Sequence, residues 1–199
     1  MKLLLIILIA NFKPLYKGKY GELLFDYSTR IARVIREQDT VDFYIRSDHT
    51  TPFKGYLMDR KIVLIALKVD TSSKDIFLNP GWWIQVYNIN GIYDTSFLYT
   101  PKEVLKKGYG LIKPISTIFR DTLFITFNIS NCVFSFYPSR LENIKCGFLP
   151  NIPVAKKRYA YIPEKYPDNA PQVKKFLIKN DKLFLEVYNG KETKLVRIR

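Results

Sequence analysis

Six consecutive apolar residues, Ile62 to Leu67 (IVLIAL), do most to limit what this chain can fold into. An apolar run this short, rich in β-branched side chains and bounded by turn signals, reads as a strand buried on both faces rather than as a helix. Such a strand needs a sheet with packed material on either side. The neighbouring signals agree. Tyr56–Met58 and Lys61–Val69 flank Asp59-Arg60, which predicts a tight hairpin. Asn79-Pro80-Gly81 is a turn, because Pro presets φ and Gly accepts a positive one. After it, Trp82, Ile84 and Val86 alternate with Trp83, Gln85 and Tyr87, so the two indoles face opposite sides. Asn90-Gly91 then predicts a hairpin returning along Tyr93–Tyr99.

The rest of the chain repeats the theme. Leu3 to Ala10 is apolar, but far shorter than the ~20 residues that span a bilayer, and Asn11-Phe12-Lys13-Pro14 is not a small-x-small cleavage site. A buried strand is the better description of it, and no transmembrane segment is expected. Over residues 22–37, Leu24, Tyr27, Ile31, Val34 and Ile35 fit a helical stripe, while Leu23/Phe25/Tyr27 and Ile31/Arg33/Ile35 alternate as strands. The β-rich surroundings favour strands. Val41–Arg46, Ser116–Phe119, Leu123–Ile129 and Val133–Tyr137 are further strands. Thr100-Pro101-Lys102-Glu103 and Ser139-Arg140-Leu141-Glu142 each carry a helix-start signature, predicting two short helices that end by Gly108 and Gly147.

Prolines 150, 153, 163, 167 and 171 exclude a central strand and predict an extended strap. Beyond it, Phe176–Lys179, Leu183–Tyr188 and Thr193–Ile198 form a meander turning at Asn180-Asp181 and Asn189-Gly190. The expected fold is therefore mainly β: an antiparallel β-sandwich or barrel with one or two short helices. It divides into a β-rich core over 1–148, a proline-rich basic strap over 149–172, and a C-terminal β-meander over 173–199 packed on the same domain.

Chemistry is sparse. His49 is the single histidine, and its neighbours Ser47 and Asp48 share its loop instead of converging on it from elsewhere, so they make no triad. With one His, Cys132 and Cys146 cannot complete a four-ligand zinc site; the pair reads as buried free thiols in preference to one bridge. Asp168 and Glu186 have the rough spacing of a metal-dependent nuclease core, but Tyr188 stands where the lysine beside the metal is needed. Gly108-Tyr109-Gly110 lacks the GK[ST] ending of a phosphate loop. Carboxylates such as Asp26, Asp39 and Asp42 belong to no visible constellation. No catalytic residue, metal or cofactor is expected.

What remains is charge. The formal net charge is +14, concentrated in the second half of the chain, and aromatic residues make up 15%. Such a surface attracts nucleic acid, anionic lipid or an acidic partner. The strap residues Lys156, Lys157, Arg158, Tyr159 and Tyr161 put cations beside stackable rings, the pairing that single-stranded nucleic acid uses. Trp83, or its neighbour Trp82, is an interface anchor if its ring faces outward. The expectation from sequence is a structural or assembly subunit of a large complex, such as a virion capsid, adaptor or tail component. Its partners would be copies of itself or other subunits, and its place the virion or cytoplasm. The alternative is a ribosomal-type or single-strand nucleic-acid-binding protein that meets its polyanion through the strap.

Overall fold

Each connection that carries turn chemistry brings the chain straight back beside the strand it has just left, so every sheet is a meander of consecutive antiparallel strands. The computed structural model describes residues 12–37, 39–46, 50–58, 60–68, 81–98, 104, 106–109, 112–137, 140–149, 152–156 and 164–198. The chain divides into two compact units, residues 1–71 with 81–99 and residues 72–80 with 100–199.

The first unit holds two four-stranded sheets. One is β1 (Lys13–Gly18), β2 (Gly21–Asp26), β3 (Ile31–Ile35) and β4 (Thr40–Tyr44); the other is β5 (Thr50–Met58), β6 (Lys61–Lys68), β7 (Gly81–Asn88) and β8 (Tyr93–Leu98). Residues 22–37 are thus two strands joined by a turn. Leu23, Phe25, Ala32, Val34 and Phe43 of the first sheet pack against Leu57, Ile62, Leu64 and Tyr87 of the second. Ile62 to Ala66 are all buried, as the double-faced apolar run requires. Gly55 on β5 marks a close approach of the two sheets: a Cβ there would lie 2.3 Å from Leu23 Cδ2 and 3.3 Å from Leu15 Cβ. At the Asn90-Gly91 hairpin, Asn88 Oδ1 accepts from the amides of Asn90 (2.9 Å) and Ile92 (3.0 Å), and Gly91 has φ +76°.

A buried polar contact fixes β7. The amide of Arg46 donates to the Tyr87 hydroxyl at 2.9 Å, the hydroxyl donates to Gln85 Oε1 at 3.3 Å, and Gln85 Nε2 donates to the Arg46 carbonyl at 3.2 Å. Burial pushes the Tyr87 phenol up from 10.0 to about 12. Its neutral form is therefore favoured in the folded state, so its contribution to stability is complete below pH 10 and is lost as pH rises towards 12. The urea midpoint followed by circular dichroism should fall across that window. Tyr87→Phe should cost about 1 kcal/mol at neutral pH and flatten the alkaline decline; an unchanged decline would assign it to other groups, Tyr166 first among them.

The second unit is a two-sheet sandwich. β9 (Pro114–Phe119), β10 (Thr122–Phe127), β11 (Cys132–Tyr137) and β12 (Arg140–Cys146) form one sheet, and β13 (Gln172–Lys179), β14 (Lys182–Tyr188) and β15 (Thr193–Arg197) the other. Phe119, Phe124 and Val133 pack with Val173, Leu183, Leu185 and Val187 between them. Two-residue turns at Arg120-Asp121 and Asn180-Asp181 have all four φ values between +48° and +55°, the left-handed geometry that matches strand twist. Arg120 Nη2 donates to Asp181 Oδ2, tying one turn to the other.

Two expectations are corrected in this unit. The capping signature at Ser139 starts no helix: residues 140–146 are β12, in register with β11 from Tyr137↔Arg140 to Cys132↔Cys146. A helix cap contributes about 1 kcal/mol, less than a full ladder with its side-chain pairs. Cys132 and Cys146 are not free thiols either; they form a disulfide across that ladder, with Cα atoms 4.1 Å apart, the close spacing of a non-hydrogen-bonded pair. The other predicted helix falls on a stretch where only Val104 and residues 106–109 are described, and Leu3–Ala10 lies outside the described residues. Among the described residues no helix is long and apolar enough to cross a membrane.

Candidate functional site

The carboxylates of Asp26, Asp42, Asp168 and Glu186 have structural partners. Asp26 closes the β2–β3 turn by accepting from the Ser28 hydroxyl (2.6 Å) and amide (2.8 Å), which hold its pKa below the usual carboxylate value. Asp42 accepts both arms of the Arg33 guanidinium, at 2.7 and 2.5 Å, across the β3–β4 ladder. At Asp39 it is the main-chain carbonyl, and not the carboxylate, that accepts from the Arg36 amide, at 2.8 Å. Asp168 meets Lys165 at 3.2 Å, and Glu186 meets Lys175 at 3.9 Å. Among the described residues no group of three metal-ligating side chains comes together. His49 lies outside them.

Of the predicted strap cluster, Lys156 is described: it is exposed, and its amide donates to Glu164 Oε2 at 2.9 Å. Lys157, Arg158, Tyr159 and Tyr161 lie outside the described residues. Trp83 stands on β7 opposite Ala66 and Leu98, and its side chain is likewise outside them. The two described ends of the strap are pinned. Ala155 donates its amide to the Lys107 carbonyl at 2.8 Å, and Lys107 Nζ donates to the Ile152 carbonyl at 2.7 Å. Downstream, the Tyr166 ring meets Tyr109 edge-on at 4.9 Å, and its hydroxyl donates to the Pro171 carbonyl at 2.5 Å. Burial lifts that phenol to about 12, with the neighbouring Tyr109 adding to the shift.

A second basic, aromatic surface emerges from the register of the C-terminal sheet. Leu183, Leu185 and Val187 of the central strand β14 are buried against the core, so Lys182, Phe184, Glu186 and Tyr188 face the other way. Their cross-strand partners share that face. Phe184 lies between Leu177 and Arg197, Glu186 between Lys175 and Leu195, and Lys182 opposite Lys179. Lys174 Nζ sits 5.6 Å from the centre of the Tyr188 ring. Residues 172–198 carry seven Lys and Arg against three Asp and Glu. Asp181 is taken up by Arg120 and Glu192 by Lys194 at 2.8 Å, while Glu186 is shared with Lys175. Among the described residues Lys179, Lys182 and Arg197 make no ion pair. The alternation Lys182-Phe184-Glu186-Tyr188 is visible in the sequence; the cations beside it are not, because they come from two other strands.

No protein-family model matches this sequence, and no curated protein is significantly similar to it.

Proposed function

We propose that this chain is a non-catalytic structural subunit that docks copies of itself or other subunits through its sheet edges, as capsid, adaptor or tail components of a virion do. The observation that carries the reading is where four of the seven exposed large apolar side chains among the described residues lie; the other three, Tyr27, Ile92 and Val154, stand in connections between strands. Tyr44 (74% exposed), Phe53 (43%), Ile178 (53%) and Leu195 (46%) stand on β4, β5, β13 and β15, each an edge strand of its sheet. An edge strand offers unpaired backbone groups, and apolar side chains beside them add the desolvation that makes edge pairing favourable. The lysines on β13 and β15 oppose indiscriminate pairing and so favour a partner of complementary charge. The virion assignment is an analogy at the level of fold.

Sedimentation velocity over a wide concentration range at moderate salt tests the reading. Defined oligomers are expected, and Tyr44→Asp or Leu195→Asp should shift them towards monomer without unfolding, since both side chains face solvent. A single monomeric boundary at every concentration would count against self-assembly.

A further inference from the structure

We infer that the solvent face of β13–β15 is a platform for single-stranded nucleic acid, with Phe184 and Tyr188 as stacking rings and Lys179, Lys182 and Arg197 as phosphate contacts. The inference goes beyond the assembly reading and does not depend on it.

Three observations converge on this face. First, both aromatic residues lie on the central strand and on the same side, four residues and hence roughly 13 Å apart. Neither faces the core, which is filled by Leu183, Leu185 and Val187. Half-buried rings on the open face of a sheet are what sequence-tolerant stacking requires, since every base offers a π face. Second, charge complementarity selects the occupant. Arg197 lies directly across from Phe184, and Lys174 sits over Tyr188, so each ring has a cation within reach of the backbone that would follow a stacked base. Third, Lys179 and Lys182 are directly opposed at the end of the hairpin. Like charges in that position destabilise a strand pair, and a bound phosphate would relieve the repulsion. Asp181, in the turn between them, is engaged by Arg120 on the other sheet's turn.

Glu186, between the rings, is the one acidic group on the face, and its neighbour Lys175 offsets it at 3.9 Å. A duplex holds its bases stacked on one another and cannot use the rings, so the platform prefers single strands.

The test is fluorescence anisotropy with labelled oligo-dT and oligo-rU over a salt series, beside a duplex of equal length and heparin. Single strands are expected to bind more tightly than either competitor. Phe184→Leu with Tyr188→Leu should weaken binding about tenfold per ring and leave the salt slope unchanged. Lys179→Gln with Lys182→Gln and Arg197→Gln should reduce the slope of log affinity against log salt by about 2. These three side chains are exposed, so the triple variant should fold even if the aromatic pair does not. Amide shifts in an NMR titration of the wild-type protein with oligo-dT should cluster on β13–β15. Absence of binding at low salt, equal binding of duplex or heparin, or shifts confined to other strands would overturn the inference. So would loss of binding on replacing Lys156, Lys157 and Arg158 with alanine while both sheet variants bind normally.

Discussion

Phe124→Ala is expected to destabilise the protein by about 3–5 kcal/mol, the largest effect of any single truncation considered. Phe124 is fully buried on β10, an inner strand of its sheet, where it stands opposite Thr117 and Ser135. It joins Phe119, Val133, Leu183, Leu185 and Val187 in the core between the two sheets of the C-terminal unit. Removing the ring takes away its transfer energy and leaves a cavity that both flanking strands, held by their ladders, are poorly placed to fill. Urea denaturation followed by circular dichroism measures the loss. Ile178→Ala is the internal control: its side chain is 53% exposed on an edge strand, and its effect should stay near 0.5 kcal/mol. A Phe124→Ala midpoint close to wild type would mean that the ring does not fill this core.

Breaking the Cys132–Cys146 bridge has the second largest expected effect, about 3 kcal/mol for a closed loop of this length. The bond spans 14 residues of sequence and closes the β11–β12 hairpin at its open end. The hairpin's other end turns after Tyr137 and resumes at Arg140, so the disulfide holds the end that the turn does not. β12 is an edge strand with a ladder on one side only, which makes the covalent tie matter more there than it would inside a sheet. Cys146 is exposed, so a soluble thiol reaches it. Unfolding curves with and without dithiothreitol, and with both cysteines changed to serine, should show matching losses; coincident oxidised and reduced curves would refute the contribution.

The hairpins were legible because turn chemistry is local. Asn90-Gly91 and Asn180-Asp181 announce their reversals within two residues, and each stands where a β-hairpin turns. Residues 22–37 were ambiguous between periods of two and 3.6. The strand reading holds because β2 and β3 each bury one row, Leu23/Phe25 and Ala32/Val34, against the second sheet. The capping signature at Ser139 misled for the complementary reason. It reports the preference of four residues, while the pairing of β12 with β11 depends on residues further back along the chain. The cysteine bond was illegible on the same grounds: 14 residues of separation do not say that two thiols will face each other until the register is known.

The sequence by itself determined that this is a mainly β, basic, aromatic-rich protein, and it marked where most of the strands begin and end. Those properties follow from turn residues, side-chain period and net charge, all of which act over a few neighbouring positions. Only the tertiary structure decided which strands share a face. That decision placed Arg197 and Leu177 beside Phe184, set Lys179 against Lys182, joined Cys132 to Cys146, and reserved position 55 for glycine where two sheets meet. The reason is that a β ladder brings together residues from separate strands, and a shift of one position exchanges every inward side chain for an outward one.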